Sequence, residues 1–156
     1  MIRPARLEDL EAIVALERSV PEVGHWPATA YGEMLQPQDG SAALQRRIYV
    51  DEEAGIRGFI VMTLLRHGDG GHAEIENLAV AATARRQGIA RGLCRAAMQD
   101  ARQAGLGGVE LEVRATNAAA KTLYFGLGFE TTGIRADYYT NPKEDACLLR
   151  VTLDAS

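Results

Sequence analysis

Two adjacent arginines, Arg85 and Arg86, stand just before the start of a predicted helix in this chain of 156 residues. An apolar strand ends near Val80, and Gly88 and the small Ala90 follow the arginines where the helix begins. A helix start presents unpaired backbone N–H groups and the positive end of the peptide dipoles, which favour an anion. Small residues let a phosphate approach the backbone, and arginines add charge-assisted hydrogen bonds. The stretch predicts a pyrophosphate site, although a short basic run is also typical of a solvated surface.

The cysteines and histidines show no spacing typical of a metal site or a redox pair. Cys94 falls in a helical pattern and Cys147 in a strand pattern, far apart in the chain. A free cysteine in such a position is most often a small buried hydrophobic residue, and neither has a base in an evident motif. His25, His67 and His72 also lack ligand spacing. We therefore expect neither a metal site nor a cysteine nucleophile.

Length and composition are typical of one globular domain, which we expect to span residues 1–156. The hydrophobic content of 47% and the charged content of 24% are ordinary. A net charge of −4 gives no overall attraction to nucleic acid. The apolar runs are too short to span a membrane, and the first residues are not followed by a signal-peptide core. These features predict a cytoplasmic protein that binds neither nucleic acid nor a membrane directly.

Hydrophobic periodicity divides the chain into strands and helices that position these residues. Alternating or β-branched runs predict seven strands near residues 2–5, 47–50, 58–65, 73–80, 109–113, 130–138 and 145–153. Apolar residues at steps of three and four predict helices near residues 7–17, 28–35, 88–104 and 118–127. Asn117 is the predicted cap of the last helix. The order predicts an α/β fold with a mixed sheet of about seven strands.

Two segments of the first half carry weaker signals. Residues 21–27 form a predicted loop that holds Trp26, the only tryptophan of the chain. Its ring is either a packing anchor between helices or a wall of a substrate groove, because loop aromatics serve both purposes. Polar residues with Pro37 and Gly40 predict a mobile loop over residues 36–45.

Several runs together give the chain a family resemblance. Residues 85–90 read RRQGIA and match the pattern Gln/Arg-x-x-Gly-x-Gly/Ala, which is weak by itself. The runs 111–120 (LEVRATNAAA) and 123–129 (LYFGLGF) are more specific, and residues 135–139 and 144–146 accompany them. The chain resembles the GNAT superfamily of acyl-CoA N-acetyltransferases and, within it, the RimI branch. Those enzymes acetylate protein N-termini, such as the alanine of ribosomal protein S18. The resemblance implies an α+β fold with a mostly antiparallel sheet and about four helices.

The resemblance also implies acetyl-CoA as co-substrate, without a metal, and assigns residues to it. In the family, the backbone of a strand end holds the pantetheine arm and the following loop holds the pyrophosphate. The matching positions are Leu78, Ala79 and Val80 for the arm, Arg85, Arg86, Gln87, Gly88, Ile89, Ala90 and Arg91 for the pyrophosphate, and Asn117 and Tyr124 for further contacts.

In RimI-type enzymes the position of Glu112 is the general base and that of Tyr124 the general acid. The resemblance therefore implies direct attack of an amine on the thioester. From the residues alone, Glu112 is equally a solvated carboxylate on the polar face of a strand, and Tyr124 a buried core tyrosine. Glu76 is the rival base, because other GNAT branches use a carboxylate on that strand, or else a substrate-binding acid.

Asn77, Tyr138 and Tyr139 are the other predicted acceptor contacts. Asn77 could position the amine or a water molecule, and the tyrosines match the late hairpin that lines the peptide groove in N-terminal acetyltransferases. Paired tyrosines in a strand are also ordinary sheet residues. We expect the acceptor to be a protein N-terminus and the protein to be a monomer or weak homodimer. A small amine, a polyamine or a lysine side chain as acceptor, or a non-catalytic acyl-CoA-binding module, are the alternatives.

Overall fold

The computed structural model describes residues 1–21 and 23–154, in which seven strands form one sheet. The strands are β1 (Ile2–Pro4), β2 (Leu44–Glu52), β3 (Ile56–His67), β4 (Gly70–Val80), β5 (Gly108–Arg114), β6 (Glu130–Tyr139) and β7 (Glu144–Thr152). Their spatial order is β1-β2-β3-β4-β5-β7-β6. β4 and β5 pair in parallel, and the other neighbouring strands are antiparallel. The predicted mixed, mostly antiparallel sheet of about seven strands is confirmed.

Four α-helices flank the sheet in the described ranges, as predicted. They are α1 (Leu10–Ser19), α2 (Ala28–Leu35), α3 (Ile89–Gln103) and α4 (Ala118–Gly126). Short 3-10 turns at Leu7–Asp9 and Ala82–Ala84 precede α1 and α3. The predicted first helix therefore begins as a 3-10 turn. Within the described residues no helix is both long enough and apolar enough to cross a membrane.

β3 lies at the centre of the sheet and is buried on both faces. Ile60, Met62 and Leu64 point to the face covered by α3 and α4, where the larger core lies. Phe59 and Val61 point to the face covered by α1 and α2. A strand covered on both faces is a continuous apolar run rather than an alternating one, which explains the sequence of this segment. The sheet is the middle of three layers.

A β-bulge at Glu76 opens the sheet between β4 and β5. Val61 of β3 pairs with Asn77 and Met62 pairs with Ile75, so Glu76 is the extra residue without a partner. In the described sheet, β4 pairs with β5 only at Ala73 and Glu74, and the pairing ends after Glu74. Because a bulge bends and twists its strand, the two parallel strands separate towards their C-terminal ends. A gap is left in the middle of the sheet.

The segment predicted as a mobile loop over residues 36–45 is shorter than expected, since β2 begins at Leu44 rather than at Arg47. The Gln38 side chain closes it. Its amide donates to the carbonyl oxygens of Met34 (2.7 Å) and Arg46 (2.8 Å), and its oxygen accepts from the Arg46 N–H (2.8 Å). These hydrogen bonds attach the loop to both flanking elements.

Candidate active site

A cavity of about 1200 Å³ occupies the gap between β4 and β5. Ile89, Leu123 and Tyr124 line it from the α3 and α4 face of the sheet, while Trp26 and Glu112 line it from the other face. The cavity therefore connects the two faces through the sheet. Two ligands that approach from opposite faces can meet in it.

The start of α3 forms the anionic-ligand end of this cavity. Arg86 and Gly88 both have left-handed backbone conformations, with φ of 63° and 78°. Gly88 is the N-cap and has no side chain with which to cap the helix, so the first-turn N–H groups remain available to a ligand. Successive N–H groups in such a turn form a concave anion-binding surface. A nucleotide pyrophosphate fits this charge and geometry.

Most of the predicted cofactor residues line the cavity. They are Leu78, Ala79, Val80, Arg85, Arg86, Gly88, Ile89, Ala90, Arg91, Asn117 and Tyr124. Gln87 is the exception: its side-chain oxygen accepts a hydrogen bond from Arg57 (3.3 Å), and it is not part of the cavity wall. Sequence matching could not show this, because the motif fixes a position in the chain but not the direction of its side chain.

In the described part of the chain, the end of β4 has an edge without a neighbouring strand on the cavity side, where the Leu78 N–H donates to the Asn77 side-chain oxygen (3.1 Å). Leu78, Ala79 and Val80 pair with β3 on one side, and β5 has moved away on the other. An open strand edge presents N–H and C=O groups that an extended ligand with amide groups can join. The pantetheine arm of acetyl-CoA has such amide groups, so the edge fits it.

Tyr124 is buried in α4 on the same face as α3. Its ring packs edge to face against Phe129, with 5.4 Å between the ring centroids. Burial, with a smaller contribution from Cys94, raises the pKa of its hydroxyl, which is therefore protonated at neutral pH and able to donate a proton. Burial also raises the pKa of the Cys94 thiol to about 12, so a thiolate nucleophile is disfavoured there.

Glu112 lies on β5 and points to the α1 and α2 face, because its neighbours Leu111 and Val113 belong to the core on the other face. Its carboxylate is 3.3 Å from the Arg135 guanidinium. The Tyr138 hydroxyl lies close to it as well, and its interaction with Glu112 is the main cause of a raised pKa of Tyr138. Glu112 is therefore held from two sides.

The bulged end of β6 brings the two predicted tyrosines to this carboxylate. Arg135 pairs with Ala146 and Tyr139 with Glu144, so the register shifts between them. The rings of Tyr138 and Tyr139 pack edge to face at 5.1 Å. Burial and the charge of nearby Glu112 raise the pKa of Tyr139. The predicted group Glu112, Tyr138 and Tyr139 is thus together in space.

Arginines that sequence reasoning missed support this group. The Arg135 guanidinium lies over the Tyr138 ring at 4.9 Å, and that of Arg114 lies over the Tyr139 ring at 4.2 Å. Arg114 also pairs with Glu144 at 3.4 Å. In the sequence, the alternation of charge along β5 marks Arg114, whereas Arg135 lies on β6 in the run 135–139.

Glu76 lines the same cavity from the bulge of β4. Burial and the nearby Glu74 carboxylate raise its pKa, while Thr63 and Arg46 act in the opposite direction. Burial is the largest cause, although part of the side chain is exposed. A carboxylate with a raised pKa is a stronger base than an ordinary one, so Glu76 remains a chemical rival to Glu112.

Asn77 follows the bulge and its side chain is buried. Its amide nitrogen donates to the Gly24 carbonyl (3.0 Å) and to the Tyr31 hydroxyl (3.1 Å), and its oxygen accepts from the Leu78 N–H (3.1 Å). Both amide hydrogens are therefore used within the protein, and a role of Asn77 in positioning the amine or a water molecule stays a prediction. The Trp26 ring packs 5.4 Å from the Tyr31 ring and also lines the cavity; its role as a wall of the substrate groove stays a prediction.

Asn117 caps α4 as predicted, with its side-chain oxygen accepting from the Ala120 N–H at 3.1 Å.

His72, Glu74 and Glu110 come together although their spacing in the sequence gave no sign of it. The His72 ring nitrogen lies 3.1 Å from the Glu74 carboxylate and 4.0 Å from that of Glu110. Arg150 already pairs with the second oxygen of Glu110.

Comparison with known proteins shows which family this chain belongs to. The family model of the GNAT acetyltransferases matches residues 10–129. The chain belongs to the GNAT family. A ribosomal protein bS18-alanine N-acetyltransferase of Haemophilus ducreyi is 30% identical over 137 residues, covering 86% of this chain and 90% of that protein. The protein of the same name from Escherichia coli (strain K12) is 39% identical over 83 residues, 52% of this chain and 56% of that one.

Solved structures of GNAT relatives have the same fold. The crystal structure of the E. coli ribosomal-protein-S18-alanine N-acetyltransferase superposes with a TM-score of 0.80 at 26% identity, over 100% of this chain and 95% of that chain. Naa20 of Chaetomium thermophilum, solved with a bisubstrate analogue, gives 0.82 at 26% identity, over 98% and 86%. This chain is therefore an N-acetyltransferase of the GNAT fold with acetyl-CoA as co-substrate, as the sequence predicted.

Proposed function

We propose that this enzyme acetylates the N-terminal α-amine of a protein by direct attack on acetyl-CoA. The observation that carries the proposal is the cavity through the sheet, with an anion-binding helix start at one end and the Glu112–Tyr138 cluster on the opposite face. Relatives named for the alanine of bS18, and a structural relative solved with a bisubstrate analogue, support this choice of acceptor.

The cofactor half of the cavity would hold acetyl-CoA by its backbone and its arginines. The free edge of β4 at Leu78–Val80 would bind the pantetheine arm. The first-turn N–H groups of α3, with Arg85, Arg86 and Arg91, would bind the pyrophosphate. When bound, acetyl-CoA supplies the acetyl group as an activated thioester.

The protein's own task is two proton transfers. Glu112 would accept the proton of the attacking amine, directly or through water, and the Tyr124 hydroxyl would donate one to the departing sulfur. An α-amine has an ordinary pKa near 7.7–8.0, so roughly a tenth is already neutral at pH 7 and a carboxylate suffices as base. A lysine amine, near 10.4, would require much more assistance.

An acetyl-enzyme on a cysteine is disfavoured by the site. The Cys94 thiol is buried in the core and its pKa is raised to about 12. Cys147 is buried as well. Direct transfer, with both ligands bound together in one cavity, therefore agrees best with the geometry.

Steady-state kinetics with two matched peptides test the proposal. One begins with a free alanine and contains no lysine; the other is blocked at its N-terminus and contains one lysine. We expect turnover of the first peptide and little of the second. Turnover of the lysine peptide alone would assign the enzyme to side chains. CoA-induced thermal stabilisation without turnover of any amine would instead indicate a binding module.

A further inference from the structure

We propose that Glu17 is a positioning residue that acts through Tyr31 and Asn77. It would fix the segment Val23–Trp26 (the acceptor wall) against β4 and so set the affinity for the acceptor. The inference deepens the proposed function and rests on it in one respect, namely that the acceptor enters from the α1 and α2 face.

Glu17 is a carboxylate inside an apolar core. It lies in α1, is 1% exposed and does not line the cavity. Its oxygens accept hydrogen bonds from the Trp26 backbone N–H (3.0 Å), the Tyr31 hydroxyl and the His25 ring (2.9 Å). Burial opposes ionisation, but these donors outweigh it and leave the pKa of Glu17 below its ordinary value. A buried charge is tolerated only with such partners.

The same network reaches β4 beside the bulge. The Tyr31 hydroxyl donates to Glu17 and accepts from the Asn77 amide (3.1 Å), whose other hydrogen goes to the Gly24 carbonyl (3.0 Å). Tyr31 is fully buried between the Trp26 and Phe59 rings. The acceptor wall is thus attached twice, by Trp26 to α1 and by Gly24 to β4.

The residues of the acceptor wall that this network holds in place line the cavity. Val23, Gly24 and Trp26 line the cavity on the acceptor side, and Asn77 stands between Glu76 and Leu78, which line it too. A displacement of about 1 Å in a positioning element is enough to reduce a rate by large factors. Loss of the network should therefore change acceptor binding and not only stability.

A partly buried tyrosine, Tyr49, provides a control. Tyr49 donates to the Asp100 carboxylate at 2.7 Å, as Tyr31 does to Glu17, and burial is the main cause of a raised pKa in both tyrosines. Tyr49 packs against the α3 face and is not part of the cavity wall. Tyr49→Phe removes the same kind of hydrogen bond without touching the acceptor wall.

The experiment compares Tyr31→Phe with Tyr49→Phe. Both keep the ring, and we expect the larger loss in Tm for Tyr31→Phe, because it leaves the buried Glu17 carboxylate and the Asn77 amide each without a partner. For Tyr31→Phe we expect an acceptor KM raised about tenfold with the acetyl-CoA KM within twofold of wild type. Acrylamide quenching of Trp26, the only tryptophan, should also increase. Tyr49→Phe should leave all three values unchanged.

Glu17→Gln provides an independent variant of the same network. The substitution keeps the volume of the side chain. Its NH₂ group, however, faces one of the three hydrogen-bond donors and cannot accept a hydrogen bond from it. Because Glu17 and Tyr31 act as one unit, the double variant should raise the acceptor KM no more than the more severe single variant.

The two proposals fail in different ways. A wild-type enzyme without turnover on any N-terminal peptide contradicts the proposed function, and Trp26 quenching then still decides the inference. Equal quenching in the Tyr31→Phe and Tyr49→Phe variants overturns the positioning role. So does an acceptor KM that Tyr31→Phe leaves unchanged in an active enzyme.

Discussion

Glu112 and Tyr124 line one cavity from opposite faces of the same sheet. Glu112 points to the α1 and α2 face from β5, and Tyr124 lies on α4 within the core of the other face. They share a cavity because the bulge at Glu76 ends the pairing of β4 with β5. The proposed base therefore lies on the acceptor side of the cavity and the proposed acid on the cofactor side.

Tyr124→Phe should lower kcat by at least tenfold. The ring and its contact with Phe129 are retained, so the loss reports the hydroxyl as proton donor. The acetyl-CoA KM and the Tm should change little. Steady-state kinetics and thermal denaturation measure these values, and a wild-type kcat in the variant would remove Tyr124 from the mechanism.

Glu112→Gln and Glu76→Gln distinguish the two candidate bases. We expect Glu112→Gln to lower kcat about 100-fold and Glu76→Gln less than tenfold. A base acts when deprotonated, so kcat/KM rises with pH through the pKa of that base. Were Glu76 the base, its raised pKa would place this rise above the ordinary carboxyl range. Loss of that rise in Glu76→Gln would then reverse the assignment.

Glu76→Gln should also change the stability of the protein, and the sign of this change follows from the raised pKa of Glu76. The Glu76 carboxyl holds its proton more tightly in the folded state than in the unfolded state. Its contribution to stability is therefore complete below pH 4.5, the ordinary pKa of the group. That contribution is lost as the pH rises through the pKa of Glu76 in the folded state. Glu76→Gln should therefore raise the Tm relative to wild type at pH 7, by a small amount because the side chain is exposed, and should raise it less at pH 3.5. A lower Tm of the variant at pH 7 would contradict this.

Local patterns predicted the elements well because those signals lie within a few residues. The bounds of α2 and the cap at Asn117 follow directly from nearby residues. β2 is longer than predicted because residues 44–46, which show no clear alternation, are held in the ladder by pairing with β3. No periodicity in a single strand reveals a partner strand.

Contacts between distant segments could not be predicted in the same way. The pairing of Glu112 with Arg135 and the burial of Glu17 depend on the register shift in β6 and on how α1 crosses the sheet. Glu17 did carry a signal, because it occupies a position on the apolar side of a helical pattern. A carboxylate there requires donors, but the sequence does not show which residues supply them.

Arg86 combines a predicted cofactor contact with a strained backbone. Its φ of 63° costs about 1 kcal/mol in a residue with a Cβ, and glycine avoids this cost. Arg86→Gly should raise the acetyl-CoA KM about tenfold by loss of a charged hydrogen bond. Arg86→Ala keeps the strain and loses the same side chain, so it should bind equally weakly and be less stable than Arg86→Gly. Equal Tm values for the two variants would show that the strain has no energetic effect.

Gly58 of β3 lets the start of α3 approach the sheet. A Cβ at this position would lie 3.0 Å from Ile89 Cγ2 and 3.1 Å from both Leu93 Cδ1 and the Ala79 carbonyl oxygen. In Gly58→Ala these neighbours must shift by a few tenths of an ångström, and we expect the start of α3 to move with the Ile89 and Leu93 side chains. We expect a loss of about 1 kcal/mol in the free energy of unfolding, because overpacked cores are strained.

The displacement should also reach the cofactor, since Ile89 opens the helix that offers its N–H groups to the pyrophosphate. The acetyl-CoA KM of Gly58→Ala should rise about threefold to tenfold while the acceptor KM stays the same. Gly40→Ala is the control, because no atom lies within 4 Å of its added Cβ. A destabilised Gly58→Ala enzyme with an unchanged acetyl-CoA KM would show that the position of α3 does not limit cofactor binding.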